Sequence, residues 1–430
     1  MLKELKQIYQ ESLQFHPELL RKAQEAEEQV KSYWEEIDQI AHYNQIKVLK
    51  AFQNSRISDY HFSGSTGYAY GDIGREGLEE VYAKVFGAEK ALVRLQISSG
   101  THAIALCLYG ILRPGDELLS LTGSPYDTLE EVLGTRGEGY GNLQEWGVIY
   151  KKVELTKEGK LDLAAIEKNI TSKTRMVLLQ RSRGYTWRPS LRIEQIQEAV
   201  DLVKKINKQI VFFVDNCYGE FAQILEPTQV GVDLMAGSLI KNPGGGIAPT
   251  GGYVVGKEEY VKMAAARLTA PGVGEKVGAT LGLGRLLYQG FYLAPHVVSE
   301  SLKGAIFTAR LFKNLGFQVS PEPNEQRADI IQAIQTKTPE GLIAFCQGLQ
   351  EFSPVDSHVR PQPAHQPGYG DRVIMAAGAF IQGASIELSA DGPLREPYIA
   401  YLQGGLTKEQ VKIGVLGAVQ KMLNEGLIKL

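Results

Sequence analysis

Lys241 lies in Ser238-Leu239-Ile240-Lys241-Asn242-Pro243-Gly244-Gly245-Gly246, and Asp215 in Val214-Asp215-Asn216-Cys217-Tyr218. Each follows a short apolar run of strand length. A lysine after Leu239-Ile240 is at least partly buried, and burial lowers the pKa of an ammonium and frees the neutral nucleophile. An aspartate closing Ile210–Val214 stands where α/β sheets open their ligand crevice. By itself such an aspartate serves equally as a helix cap or turn residue, and a lysine at a strand end is commonly a surface residue. Taken together, the two supply a Schiff-base amine and a carboxylate for a pyridine nitrogen. Those are the groups that pyridoxal 5'-phosphate (PLP) requires, the carboxylate keeping the ring protonated so that it can absorb electrons.

Other residues fit around that pair. Ser98-Ser99-Gly100-Thr101 follows the run Ala91–Ile97 and precedes a helix near Ala103. Small residues at a strand-to-helix turn expose backbone N–H groups where the helix dipole favours an anion, and a phosphate is the natural occupant. Many helices begin this way without a ligand. Ser238 offers a hydroxyl to the same phosphate. Tyr126, in Ser124-Pro125-Tyr126-Asp127-Thr128, follows the run Glu117–Leu121 and is placed to stack on a cofactor ring. The chain has 20 tyrosines, so ordinary packing is the competing reading for any one of them. The triple glycine after Pro243 would let backbone approach a ligand closely.

These residues need a sheet to carry them. Seven strand-length runs are Ala91–Ile97, Glu117–Leu121, Val148–Val153, Met176–Leu179, Ile210–Val214, Leu234–Ile240 and Gly252–Val255. Helical stretches such as Ala103–Leu112, Leu163–Lys168 and Ile193–Lys205 separate several of them. That alternation predicts a mainly parallel seven-stranded sheet covered on both faces, an α/β fold. Residues from about Pro17 to Ser55 read as helix, and Pro271 to about Leu315 as a long connecting helix. Beyond it a small C-terminal α+β domain is expected, with strands at Ala328–Ile334, Val373–Phe380 and Ser385–Leu388 and a helix at Pro339–Leu349. Thr407-Lys408-Glu409-Gln410 is a capping box opening a last helix. The expected divisions are an N-terminal helical segment (1–57), a PLP-binding large domain (58–290), and a connecting helix with the small domain (291–430).

The same motifs, in the same order, resemble the Cys/Met-metabolism PLP enzymes, among them cystathionine lyases and methionine γ-lyase. Tyr70–Arg75, the Lys241-Asn242-Pro243 run with its glycines, and Ile386–Pro393 look most like the aluminium-resistance, methionine γ-lyase-like branch. The resemblance spans roughly residues 60 to 405. It implies a fold type I, aspartate-aminotransferase-like large domain and PLP as cofactor. It implies that Lys241 forms the Schiff base and moves protons, that Asp215 pairs with the pyridinium, and that Tyr126 stacks on the ring and protonates a leaving group. Ser99, Gly100, Thr101 and Ser238 would hold the phosphate. Tyr70 would reach the phosphate of a neighbouring subunit, making the protein a homodimer or homotetramer with shared sites. The chain departs from the pattern where Tyr-x-Arg becomes Tyr70-Gly71-Asp72, with Arg75 as a substitute. The arginine for the substrate carboxylate is also displaced; Arg395 is the first candidate, ahead of Arg372 and Arg360.

The expected activity is carbon–sulfur lysis by β- or γ-elimination on a sulfur-containing amino acid. Transamination, aldol cleavage and a non-catalytic PLP-binding role in stress tolerance are the alternatives, because fold and cofactor do not fix a reaction. Composition narrows the rest. A net charge of −3 over 430 residues argues against nucleic acid or an anionic membrane as partner. No apolar stretch approaches the roughly 18 residues of a membrane span. The charged start, Met1-Leu2-Lys3-Glu4, is unlike a signal peptide. Three scattered cysteines, with no CxxC, point to a reducing cytoplasm without disulfides. His358 and His365 lack the spacing and carboxylate neighbours of a metal site, and none is expected.

Overall fold

The computed structural model describes residues 3–68, 71–137, 140–366 and 369–430. Its contacts divide the chain into two units, Ile40–His296, and Met1–Gln39 with Val297–Leu430. The N-terminal helix, Pro17–Asn54, therefore contributes to both, as does the helix Gly284–Asn314.

The first unit holds seven strands: β1 (Lys90–Arg94), β2 (Glu117–Ser120), β3 (Ile149–Lys152), β4 (Thr174–Gln180), β5 (Val211–Asp215), β6 (Leu234–Ser238) and β7 (Gly252–Gly256). They lie in the order β1-β7-β6-β5-β4-β2-β3. Neighbours from β6 to β3 are parallel, and β7 is antiparallel to both β1 and β6. This is the mainly parallel sheet the alternating pattern predicts. All five residues of β5 are buried. Its run of Val and Phe shows no period of two because both faces are covered.

Those faces differ. On one, Val211, Phe213, Leu234, Ala236 and Val254 join Ile104 and Leu108 of the helix Gly100–Ile111. On the other, Tyr253 meets Tyr82 and Phe86 of the helix Ile73–Phe86, with ring centroids 5.9 and 5.5 Å away. Phe291 stacks on Tyr82 at 3.7 Å. Side chains this fully buried stabilise the fold by about 1.5–3 kcal/mol each. Because β4, β5 and β6 run parallel, their C-terminal residues reach one edge: Gln180 lies beside Asp215, and Asp215 beside Ala236.

The second unit holds an antiparallel sheet of β8 (Val319–Ser320), β9 (Ile331–Gln335), β10 (Ala364–His365), β11 (Arg372–Ala376), β12 (Ser389–Pro393) and β13 (Ile399–Gln403). Its order is β10-β11-β12-β13-β9-β8. Helices Pro339–Glu351 and Lys408–Asn424 pack on each other. Thr407 caps the second through Gln410 N at 3.1 Å, while the Gln410 amide oxygen accepts Leu406 N rather than Thr407 N.

Three expectations need correction. Residues 271–283 are not the start of the long helix, since glycines with positive φ at 272, 274, 278 and 282 break it until Gly284. Ser385–Leu388 is not a strand. The Glu387 carboxylate accepts the N–H groups of Phe380 and Ile381 at 2.8 and 2.9 Å, and the backbone turns there before β12 begins. Strand β13 was not expected; every one of its residues is buried, so no alternation marks it.

Candidate active site

Asp215 ends β5 with 3% of its surface exposed, and its Oδ1 accepts Cys217 N at 3.1 Å. Burial raises its pKa; Lys241 opposes the shift, so the two groups feel each other. Lys241 stands three residues past the end of β6, partly buried, at the start of the turn Asn242–Gly244. Burial disfavours its ammonium, but Cys217, Tyr218, Asp215 and Tyr126 favour it and win: the pKa is raised well above the ordinary lysine value, the reverse of the lowering expected from burial alone. Burial also keeps Cys217 and Tyr126 protonated. Of the groups that shift Lys241, Asp215 is the carboxylate. The Lys241 Nζ lies over the Tyr218 ring, 4.1 Å from its centroid.

The phosphate-loop candidates meet the same edge. A Cβ on Gly100 would sit 3.2 Å from Cys217 Sγ and 3.4 Å from Ser238 Cβ, so the start of the helix Gly100–Ile111 abuts both. Ser238 is buried. The Ser99 hydroxyl oxygen accepts His102 N at 3.0 Å, the ordinary work of an N-cap. Thr101 Oγ1 and the Tyr126 hydroxyl are 3.0 Å apart. Tyr126 N donates to Gln180 Oε1 at 3.0 Å. Burial, then Asp215, raise the Tyr126 pKa, so its hydroxyl stays protonated. Lys241, Asp215, Tyr126, Thr101, Gly100 and Ser238 are thus brought together.

Others are not. Tyr70 lies outside the described residues. Arg75 is buried, and its Nη1 donates to the carbonyls of Gly67 (3.0 Å) and Gly278 (3.1 Å), tying two loops of the first unit. Arg395 belongs to the second unit, exposed and paired with Asp371 at 2.9 Å. Arg372 is exposed, and Arg360 donates to Gln347 at 2.9 Å. The glycines after Lys241 serve packing. A Cβ on Gly244 would fall 1.8 Å from the Leu239 carbonyl, one on Gly245 2.5 Å from that of Gly290, and one on Gly290 2.3 Å from that of Gly244. The turn is closed against the helix Gly284–Asn314 by bare backbone. Among the described residues, no group of three or more His, Cys, Asp or Glu is arranged to hold a metal ion. None of the described helices is long and apolar enough to cross a membrane.

Three participants escaped the sequence reading as site residues. Gln180 was detectable only as the polar end of a strand. Tyr218 was visible in its motif, but its ring position was not. Glu220, fully buried on the opposite face, accepts the Tyr253 hydroxyl at 2.6 Å, and burial pushes its pKa up to about 8.

A family model described as methionine gamma-lyase matches residues 19–423. An uncharacterized protein of Bacillus subtilis, YnbB, is 54% identical over 96% of this chain and 99% of its own. The crystal structure of a carbon-sulfur lyase involved in aluminum resistance from Clostridium novyi is 50% identical, covers 98% of this chain and 100% of its own, and superposes with a TM-score of 0.94. Cystathionine gamma synthase from Xanthomonas oryzae covers 82% of this chain and 87% of its own at 18% identity and a TM-score of 0.58. That likeness extends to the fold, which is the type I fold of PLP enzymes.

Proposed function

The chain belongs to the methionine gamma-lyase family, and we propose that it is a PLP-dependent carbon–sulfur lyase that eliminates a sulfur leaving group from Cβ or Cγ of an amino acid. The observation that carries this reading is the meeting of Lys241, Asp215 and Tyr126 with the helix start at Gly100 on one edge of the sheet.

The residues fit the cofactor. Asp215 is a carboxylate whose burial raises its pKa, and a protonated ring nitrogen is the partner that would relieve it. Backbone N–H groups of Gly100 and Thr101, the Ser238 hydroxyl and the positive end of a twelve-residue helix suit a phosphate. Tyr126 would cover the ring, and Lys241 would bind it as a Schiff base. Bound PLP would supply the electron sink that makes the substrate Cα–H acidic.

The rest falls to side chains of this chain. Lys241, as a free amine beside the substrate, would take the proton from Cα. Asp215 stays ionised and holds the charge opposite. Tyr126, kept protonated and oriented by Thr101, donates a proton to the departing sulfur. Elimination from Cγ requires a second proton to leave Cβ, and Lys241 is the group placed to move it. The working protein is proposed to be a homodimer or homotetramer with Tyr70 serving the adjoining site.

The test is an absorption spectrum of purified protein beside Lys241→Ala, before and after borohydride reduction, with peptide mapping of the reduced chain. The expected result is a visible band absent from the variant and a pyridoxyl label on Lys241. Release of keto acid and thiol from sulfur amino acids then identifies elimination. No PLP after reconstitution, or a label elsewhere, would overturn the assignment.

A further inference from the structure

The turn after β5 is built at a conformational cost. Tyr218 and Phe221, neither of them glycine, take φ values of 73° and 63° in the left-handed region. Such strain persists where the surroundings over-determine it, and it gathers at functional sites. Here the surroundings come from three elements. Arg181, just past β4, donates to Asn216 Oδ1 (2.8 Å) and the Gly219 carbonyl (2.9 Å). Asn44 of the N-terminal helix donates to the carbonyls of Phe221 and Gln223 at 3.2 and 3.1 Å. Asn242, beside the lysine, donates to the Glu220 carbonyl at 2.9 Å. Within the turn, the buried Glu226 carboxylate accepts Phe221 N at 2.8 Å and Asn216 Nδ2 at 3.2 Å, and lies 3.6 Å from Arg181. The product of this clamping is an aromatic face 4.1 Å from the nitrogen of Lys241.

We propose that Tyr218 is a further member of the catalytic centre, its ring face holding the free ammonium of Lys241 in position while the lysine is detached from the cofactor. The proposal rests on the PLP reading for its place in the reaction, but its physical content does not need the cofactor. A ring face attracts a cation most strongly where water is excluded. The titratable groups around Lys241 are Asp215 from β5, Cys217, Glu220 and the Tyr218 phenol itself from the turn after it, and Tyr126 from the loop after β2. Asp215, Cys217 and Glu220 carry no ring, so weakening the ring face at 218 while keeping its shape isolates this interaction.

The experiment is a pH titration of Lys241 in the full-length, cofactor-free protein, followed by NMR of isotopically methylated lysines and assigned with Lys241→Arg. Tyr218→Phe keeps the ring and removes the phenol that also favours the ammonium, so it is the reference from which the ring's own effect is read. From that reference Tyr218→Leu should lower the midpoint by about one pH unit, the size of a partly desolvated cation–π contact. Replacing Tyr218 by phenylalanines carrying more and more fluorine keeps the shape and weakens the ring face, so the midpoint should fall stepwise even if the leucine variant folds poorly. A midpoint indifferent to fluorination would overturn the proposal. Borohydride labelling of the same samples with PLP tests the cofactor reading separately, so either idea can fail alone.

Discussion

Asp215 and Glu220 sit five positions apart, both buried, 3% and 0% exposed, on opposite faces of the same sheet. Asp215 ends a strand whose Phe213 belongs to the face covered by the helix Gly100–Ile111, and it faces a lysine. Glu220 contacts Tyr253, whose ring packs among Tyr82 and Phe86 on the far side. Burial raises both pKa values. The difference is the company: Lys241 is the first group to oppose the shift at Asp215, whereas at Glu220 the Tyr253 hydroxyl opposes it first and Lys241 last, and burial still holds the pKa up at about 8. The two buried acids thus meet different first partners on the two faces of the sheet, a lysine at Asp215 and a tyrosine hydroxyl at Glu220.

The largest expected effect is at Glu220. Its folded pKa of about 8 exceeds the ordinary 4.5, so between those values the folded state keeps a proton that the unfolded chain has released. Stability must then fall as pH rises through that window. Glu220→Gln mimics the protonated form. Urea denaturation should find it equal to wild type near pH 4.5 and more stable at pH 8 by up to about 4 kcal/mol. A difference that did not grow with pH would mean an ionised Glu220 and would dissolve the contrast.

Asp215→Asn should act in the opposite sense. It keeps the shape and removes the charge, so PLP affinity should drop by about 2 kcal/mol, roughly thirtyfold, in a fluorescence titration. Unchanged affinity would take Asp215 out of the site. The smallest effect is expected from Tyr253→Phe, about 1 kcal/mol of stability for the lost hydrogen bond. Because that bond lowers the Glu220 pKa, the variant should also move the pH-dependent loss of stability to higher pH.

How much of this could be read from residue order varies with the physics. Lys241 and Asp215 were legible because each terminates an apolar run, and parallel strands bring such ends to one edge. The seven strands of the first sheet were legible for the same reason. Strand β13 was not, because an element buried on both faces between Pro397-Tyr398 and Gly404-Gly405 carries no period. The turn at Ser385–Glu387 was hidden because the Glu387 carboxylate binds backbone N–H groups at Phe380 and Ile381, a pairing that residue order does not show. The role of Gly244 and Gly245 was misjudged: glycine reports that something is close, and only the fold shows that it is the Leu239 and Gly290 carbonyls rather than a ligand. Tyr218 was equally opaque, since a left-handed φ in a tyrosine has no signature in composition.

The bare-backbone contact between the lysine turn and the helix at Gly290 has a practical meaning for anyone remodelling this protein. Gly245 and Gly290 have no room for a methyl group because each meets backbone across this contact, and Gly244 has none because of the Leu239 carbonyl, so neighbouring changes here couple under mutation. A library that randomises these glycines singly will return wild type.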